Sequence, residues 1–211
     1  MFRFFASRTP LSAFRMALFA LAGAALLVPA AQAQNILKNS SAAVSGFAQL
    51  TPTTTGEGIT DRPTKSFGAQ GSFRKSYHWW EGWEASYNYT RFAEYYTNQA
   101  YSYQHNMHEF GGSYLLQAPT GFLGFRPFAL GGISAVVFSP SLNGGQNVSW
   151  QARTGLNFAG GFDKSLLTDH FGVRVQYRGV FYKTPDFGET ALTTGTSRVT
   201  SEPMAGVFLK F

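Results

Sequence analysis

Apolar and polar residues alternate with a period of two along most of the chain, in runs bounded by Gly, Pro, Asn, Asp and Thr. Residues 43–51 set Val44, Ala48 and Leu50 against Ser45 and Gln49. Residues 66–75 set Phe67, Ala69, Gly71 and Phe73 against Gln70, Ser72 and Arg74. In residues 82–90, Trp83, Ala85, Tyr87 and Tyr89 oppose Glu84, Ser86 and Asn88; in 107–116, Phe110, Gly112, Tyr114 and Leu116 oppose Glu109, Gly111 and Ser113. Residues 125–138 are apolar on both faces, which leaves their facing open. Residues 149–163 place Leu156, Phe158 and Phe162 opposite Arg153, Asn157 and Asp163. From Phe171 to Phe181, Val173, Val175 and Tyr177 oppose Arg174, Gln176 and Arg178, and residues 204–211 close the chain with Ala205, Val207, Leu209 and Phe211 on one face. The pattern predicts eight strands.

A soluble sandwich also alternates, so three further features decide. Long polar connections (residues 52–65, 91–106, 139–148 and 184–199) alternate with shorter ones (76–81, 117–124 and 164–170). Transmembrane barrels have long external loops, short periplasmic turns and an even number of strands. Aromatic residues gather near the strand ends; Trp79, Trp80 and Trp83 flank the first short turn, where amphipathic rings would meet a membrane interface. The chain also ends on Phe211, the last position of an alternating strand.

The first 33 residues read differently. Arg3, Arg8 and Arg15 precede an uncharged stretch from Met16 to Val28, and Ala31-Gln32-Ala33 follows. This is the layout of a cleaved signal peptide, and the apolar stretch is short of the roughly 20 residues a spanning helix needs. The expected organisation is a signal peptide over residues 1–33, a periplasmic lead over 34–41 and a barrel over 42–211.

Composition sharpens this picture. Charged residues make up 13% of the chain and aromatic residues 17%, whereas soluble domains carry about 25% charged residues. The absence of Cys removes disulfides, thiolate metal sites and CxxC chemistry. The formal charge of +6 hints at nucleic acid, but cleavage after Ala33 removes three of the 17 basic residues and no acid, leaving +3. No nucleic-acid partner is expected.

The closing Gly206-Val207-Phe208-Leu209-Lys210-Phe211 resembles the C-terminal signal of bacterial outer-membrane barrels. Gly82-Trp83-Glu84-Ala85-Ser86-Tyr87-Asn88-Tyr89-Thr90-Arg91 and Arg174-Val175-Gln176-Tyr177-Arg178-Gly179 resemble strands of the OmpA-like transmembrane domain and OmpX-like barrel family. The resemblance implies an all-β fold: an eight-stranded antiparallel up-and-down transmembrane β-barrel. It further implies a monomer in the outer membrane of a two-membraned bacterium, in contact with lipid and lipopolysaccharide. Gly206, Leu209 and Phe211 would then be read by the barrel-assembly machinery.

The interior of an eight-stranded barrel is just wide enough for side chains to fill. Parity sends Glu84, Glu109, Arg74, Arg153, Arg174 and Arg178 inward as a charge network, with Asp163 and Lys210 nearer the periplasmic end. Buried charges of this kind have to pair. The His-x-Ser pair of the similar lipid A deacylase barrels is absent, because His78, His105, His108 and His170 are followed two residues later by Trp80, Met107, Phe110 and Gly172. His105 and His108 fall on opposite strand faces, which disfavours metal chelation. No catalytic residue, cofactor or metal is expected. The sequence therefore suggests a non-enzymatic barrel with a structural or surface-binding role through four external loops, the Tyr-rich residues 91–103 foremost. A narrow solute pore is the alternative, and a lipid A-modifying enzyme a distant third. The protein is expected to fractionate with the outer membrane and to show heat-modifiable gel mobility; recovery as a soluble periplasmic protein would overturn the assignment.

Overall fold

β-Branched and aromatic residues at every second position favour an extended backbone, and strands with one apolar face must close or stack to hide their edges. The computed structural model describes residues 37–119, 122–141, 148–166 and 170–211. The expected signal peptide lies outside the described residues, as do residues 142–147 of the third long connection.

Ten strands are found among the described residues: β1 (Ser40–Gln49), β2 (Thr54–Gly56), β3 (Ile59–Pro63), β4 (Ser66–Ser76), β5 (Glu81–Tyr96), β6 (Ser102–Gln117), β7 (Phe125–Pro140), β8 (Gln151–Ser165), β9 (Phe171–Lys183) and β10 (Ser197–Lys210). All pairings are antiparallel. β1 lies between β4 and β10, the order continues β10-β9-β8-β7-β6, and a β5–β6 pairing closes the sheet. Eight strands therefore form a closed up-and-down barrel, each hydrogen-bonded on both sides, as a backbone in lipid requires. β2 and β3 form a hairpin within the first long connection, and β3 adds to the external end of β5 through Asp61↔Tyr96, Arg62↔Tyr95 and Pro63↔Glu94.

Several strands run further than the alternation suggested. The β5–β6 register continues from Arg91↔Asn106 to Tyr95↔Ser102. The segment 91–103 is therefore mostly strand rather than an external loop, and Tyr96 and Tyr103 are buried. Phe92, Glu94 and Tyr96 keep the inward parity of Asn88 and Thr90, and aromatic residues suit strands as well as surfaces. Likewise β10 begins at Ser197, inside the expected fourth loop.

Outward positions carry an apolar belt. Val44, Phe67, Phe110, Ile133, Leu156, Phe158, Phe162, Val175 and Val207 are all exposed, an arrangement suited to hydrocarbon rather than water. The facing of β7, open in the sequence, is now set: Phe128, Leu130, Ser134, Val136 and Phe138 point inward, while Ala129, Ile133 and Ala135 point out. Two buried clusters result, one at each end of the barrel. The β1–β10 ladder runs to Phe47↔Met204 and resumes at Leu50↔Ser201, and Pro203, which has no N–H to give, lies in the gap.

Close strand packing also needs glycine at specific places. A Cβ on Gly132 would stand 2.0 Å from the carbonyl oxygen of Gly112 on the facing strand, which is backbone and cannot swing away. Gly132→Ala is expected to destabilise the barrel by about 1–3 kcal/mol, read as a lower urea midpoint for unfolding from vesicles; an unchanged midpoint would contradict this packing.

Candidate functional site

Inward-facing positions gather charged side chains from seven strands into three tiers along the barrel. In the tier nearest the short turns, Arg74 Nε donates to Glu84 Oε2 at 2.5 Å and Arg74 Nη1 to Asp163 Oδ2 at 3.2 Å. Arg174 forks onto Asp163, Nε to Oδ1 at 2.7 Å and Nη2 to Oδ2 at 2.9 Å, and its Nη1 lies 3.6 Å from Glu84. The Arg74 guanidinium sits 3.9 Å from the centroid of the Phe128 ring, a contact that strengthens when water is excluded.

The middle tier centres on Arg178. It donates to both oxygens of Glu109, through Nη1 at 2.8 Å and through Nη2, and to Glu202 Oε2 at 2.7 Å. Asn88 Nδ2 adds a bond to Glu109 Oε2 at 3.1 Å. In the third tier, Arg198 Nη1 donates to Asp61 Oδ2 at 2.7 Å, Nη2 to Glu94 Oε1, and Nε to Tyr182 Oη at 3.2 Å. Tyr96 Oη donates to the other Glu94 oxygen at 3.0 Å. All of these side chains are buried.

Above the third tier the interior turns apolar. Phe92, Tyr96, Tyr103, Phe138 and Tyr182 surround the top of the barrel, and Phe187 and Leu192 descend into them from the connection between β9 and β10. Phe187 (φ 51°) and Gly188 (φ 80°) both adopt the left-handed conformation, so the chain reverses and drives the phenyl ring inward. His105 lies among these rings, with centroids of Phe92, Phe187 and Phe138 at 4.3, 5.1 and 5.4 Å. β8 holds the connection down. Gln151 Oε1 accepts from the backbone N–H of Asp186 and Phe187, and Arg153 Nη2 donates to Asp186 Oδ2 at 2.9 Å. Partial burial works against ionising Asp186, but Gln151, the Gly188 N–H and Arg153 outweigh it and keep its carboxyl below the ordinary range.

Of the six charges assigned inward from sequence, Arg74, Glu84 and Arg174 share the lower tier, and Glu109 and Arg178 share the middle one. Arg153 joins neither; it lies at the external rim on Asp186. Asp163 belongs to the lower tier, while Lys210 Nζ donates to Ser165 Oγ at 3.1 Å. Trp79 and Trp80 are exposed on the first short turn, and Trp83 packs its outward ring 5.7 Å from that of Phe73. Gly206 sits opposite Ser45 on β1 and Arg174 on β9, Leu209 faces outward, and the Phe211 N–H donates to the Ser40 carbonyl at 2.9 Å.

The third tier escaped sequence reasoning, as did Glu202 and Phe187. Arg198, Thr200, Glu202 and Met204 share one parity, and Thr90, Phe92, Glu94 and Tyr96 share another. Extending both strands would have found Arg198, Glu94 and Glu202. Asp61 carries no such signal, because only the β3–β5 pairing brings it inward.

The fold of this eight-stranded closed sheet is similar to that of several solved structures. Neisserial surface protein A (NspA) superposes with a TM-score of 0.59 at 18% identity, over 82% of this chain and 98% of its own. OprG of Pseudomonas aeruginosa gives 0.55 at 14%, over 82% and 96%. Ail of Yersinia pestis gives 0.52 at 15%, over 82% and 99%. The fold is that of the small outer-membrane barrels. At these identities the likeness is one of fold. No protein-family model matches the sequence, and no curated protein is similar to it at a significant level.

Removing one member of a buried ion pair leaves its partner charged and dry. Glu84→Ala is expected to lower stability by about 3–5 kcal/mol, read as the unfolding midpoint; no change would mean that Arg74 and Arg174 do not depend on it.

Proposed function

We propose that this chain is a non-enzymatic, monomeric outer-membrane barrel with a structural or surface-binding role, closed along its interior and presenting its external connections outside. In this reading residues 1–33 are the cleaved leader, and the C-terminal strand, through Gly206, Leu209 and Phe211, engages the assembly machinery. The observation that carries the closed interior is the stack of three arginine-centred tiers beneath the Phe187 cap. An aqueous path would have to part Arg74 from Glu84, Arg178 from Glu109 and Arg198 from Asp61 in succession, each in a setting where an unpaired charge is unfavourable.

The histidine surroundings favour a non-catalytic role. His78 Nδ1 meets Glu81 at 2.5 Å, His108 Nδ1 meets the Tyr87 hydroxyl at 2.8 Å, and His105 is enclosed by rings. None of these contacts places a base beside a serine, as a serine-based hydrolase would need. A ligand-binding role is compatible with the fold, since the Ail structure is a complex with the heparin analogue sucrose octasulfate. With Tyr96 and Tyr103 turned inward, the external surface among the described residues includes the β2–β3 hairpin, the turn around Tyr101 and the connection carrying Phe187.

Planar-bilayer recording tests the closed interior. The intact barrel is expected to give no steady large conductance. Phe187→Ser combined with Leu192→Ser is expected to loosen the cap and leave conductance low, because the tiers persist beneath it. A large steady current through the unaltered protein would overturn the reading in favour of a pore.

A further inference from the structure

Three cations stand on the outer wall at the external edge of the apolar belt. Arg62 on β3, Lys65 on the link into β4 and Arg91 on β5 are exposed. Among the described residues none of them is ion-paired with a carboxylate. Arg91 Nη2 donates to Gln104 Oε1 at 2.5 Å, a neutral amide that leaves its charge uncompensated.

Sheet register sets Arg62 and Arg91 on neighbouring strands, with Lys65 on the short link from β3 to β4. Arg62 pairs with Tyr95, and the Thr64 N–H donates to the Ala93 carbonyl at 2.8 Å. Gly68 pairs with Thr90, so Phe67 comes beside Arg91 one step further. Phe92, Glu94 and Tyr96 are buried, so Arg91 and Tyr95 face outward; Asp61 is buried, so Arg62 does too. The same strands thus send their acids inward to Arg198 and their bases outward. Level with Arg91, Phe67 is 85% exposed; Tyr89 is exposed one step towards the belt, and Tyr95 is exposed level with Arg62. Towards the external end the wall passes from Tyr89 to Phe67 beside Arg91, and then to Tyr95 beside Arg62.

We propose that Arg62, Lys65 and Arg91 bind the phosphorylated headgroup of an outer-leaflet lipid, whose acyl chains lie along Phe67. Guanidinium groups match phosphate oxygens bidentately, and aromatic rings settle at the boundary of headgroup and chain. A soluble polyanion would satisfy the cations alone and make no use of the apolar ring beside Arg91. A phosphorylated lipid satisfies both, which is why the charge and the ring together favour it. The inference rests on the outer-membrane placement proposed above.

The test compares bisphosphorylated lipid A with the same lipid after removal of its phosphates, each offered to the refolded full barrel in detergent and read by native mass spectrometry. The protein is expected to retain the bisphosphorylated form at least about tenfold better, with retention falling as salt rises. Arg62→Gln/Lys65→Gln/Arg91→Gln is expected to weaken retention on the order of 100-fold. Lys183→Gln, at an exposed lysine on β9, is expected to change it little. Equal retention of the two lipids, or full retention by the triple variant, would overturn the proposal. So would a sulfated glycan held through these three residues in preference to the lipid. Heat-modifiable mobility, measured on the same samples, checks the barrel reading separately. Should the triple variant fail to fold, Lys65→Gln alone and the lipid comparison on the unaltered protein still decide.

Discussion

Four buried guanidiniums, each gripped by carboxylates from other strands, hold the inside of this barrel together. Arg74 on β4 reaches Asp163 on β8, Arg178 on β9 reaches Glu109 on β6, and Arg198 on β10 reaches Asp61 on β3 and Glu94 on β5. These ties cross the lumen, so they join strands that the backbone ladder does not. Closure satisfies the peptide groups of the wall through neighbours alone. It leaves a narrow interior too small for bulk water and lined by every second residue, and charges there are tolerated only in pairs. The wall and its filling therefore depend on each other: the register aligns the partners, and the partners resist any slip of the register.

The same alternation divides the chemistry between two faces. Outside, Val44, Phe67, Ile133 and Val175 meet an apolar surrounding; inside, Gln70, Glu84, Asn88 and Arg178 meet one another. At the external end the sorting continues beyond the belt, with Asp61 and Glu94 inward and Arg62 and Arg91 outward on the same two strands. The cap follows a different logic. Phe187 fills the barrel top because two successive left-handed residues turn the chain and because Gln151 and Arg153 hold Asp186 at the rim.

How much of this was legible depended on whether a residue's facing followed from its immediate neighbours. On β9, Arg174, Gln176 and Arg178 alternate with Val173, Val175 and Tyr177, and both faces could be read directly. β7 could not, since Phe128 and Leu130 are as apolar as Ala129 and Ile133 and only contact with β6 and β8 distinguishes them. Residues 91–103 misled for a related reason. Tyrosine is at home on a strand, in a buried cluster and at an interface, so its abundance does not say which of these it occupies.

The sequence by itself determined the class of wall: a two-residue period, alternating long and short connections and scarce charge leave few structures other than a closed sheet facing lipid. This follows because each residue's face depends on local parity alone. Tertiary structure decided the partners. Whether Asp61 meets Arg198, whether Arg153 lies inside or at the rim, and whether Phe187 hangs free or fills the lumen all depend on which strands stand opposite across the barrel. That is fixed by the register around the whole circumference, which no single segment encodes.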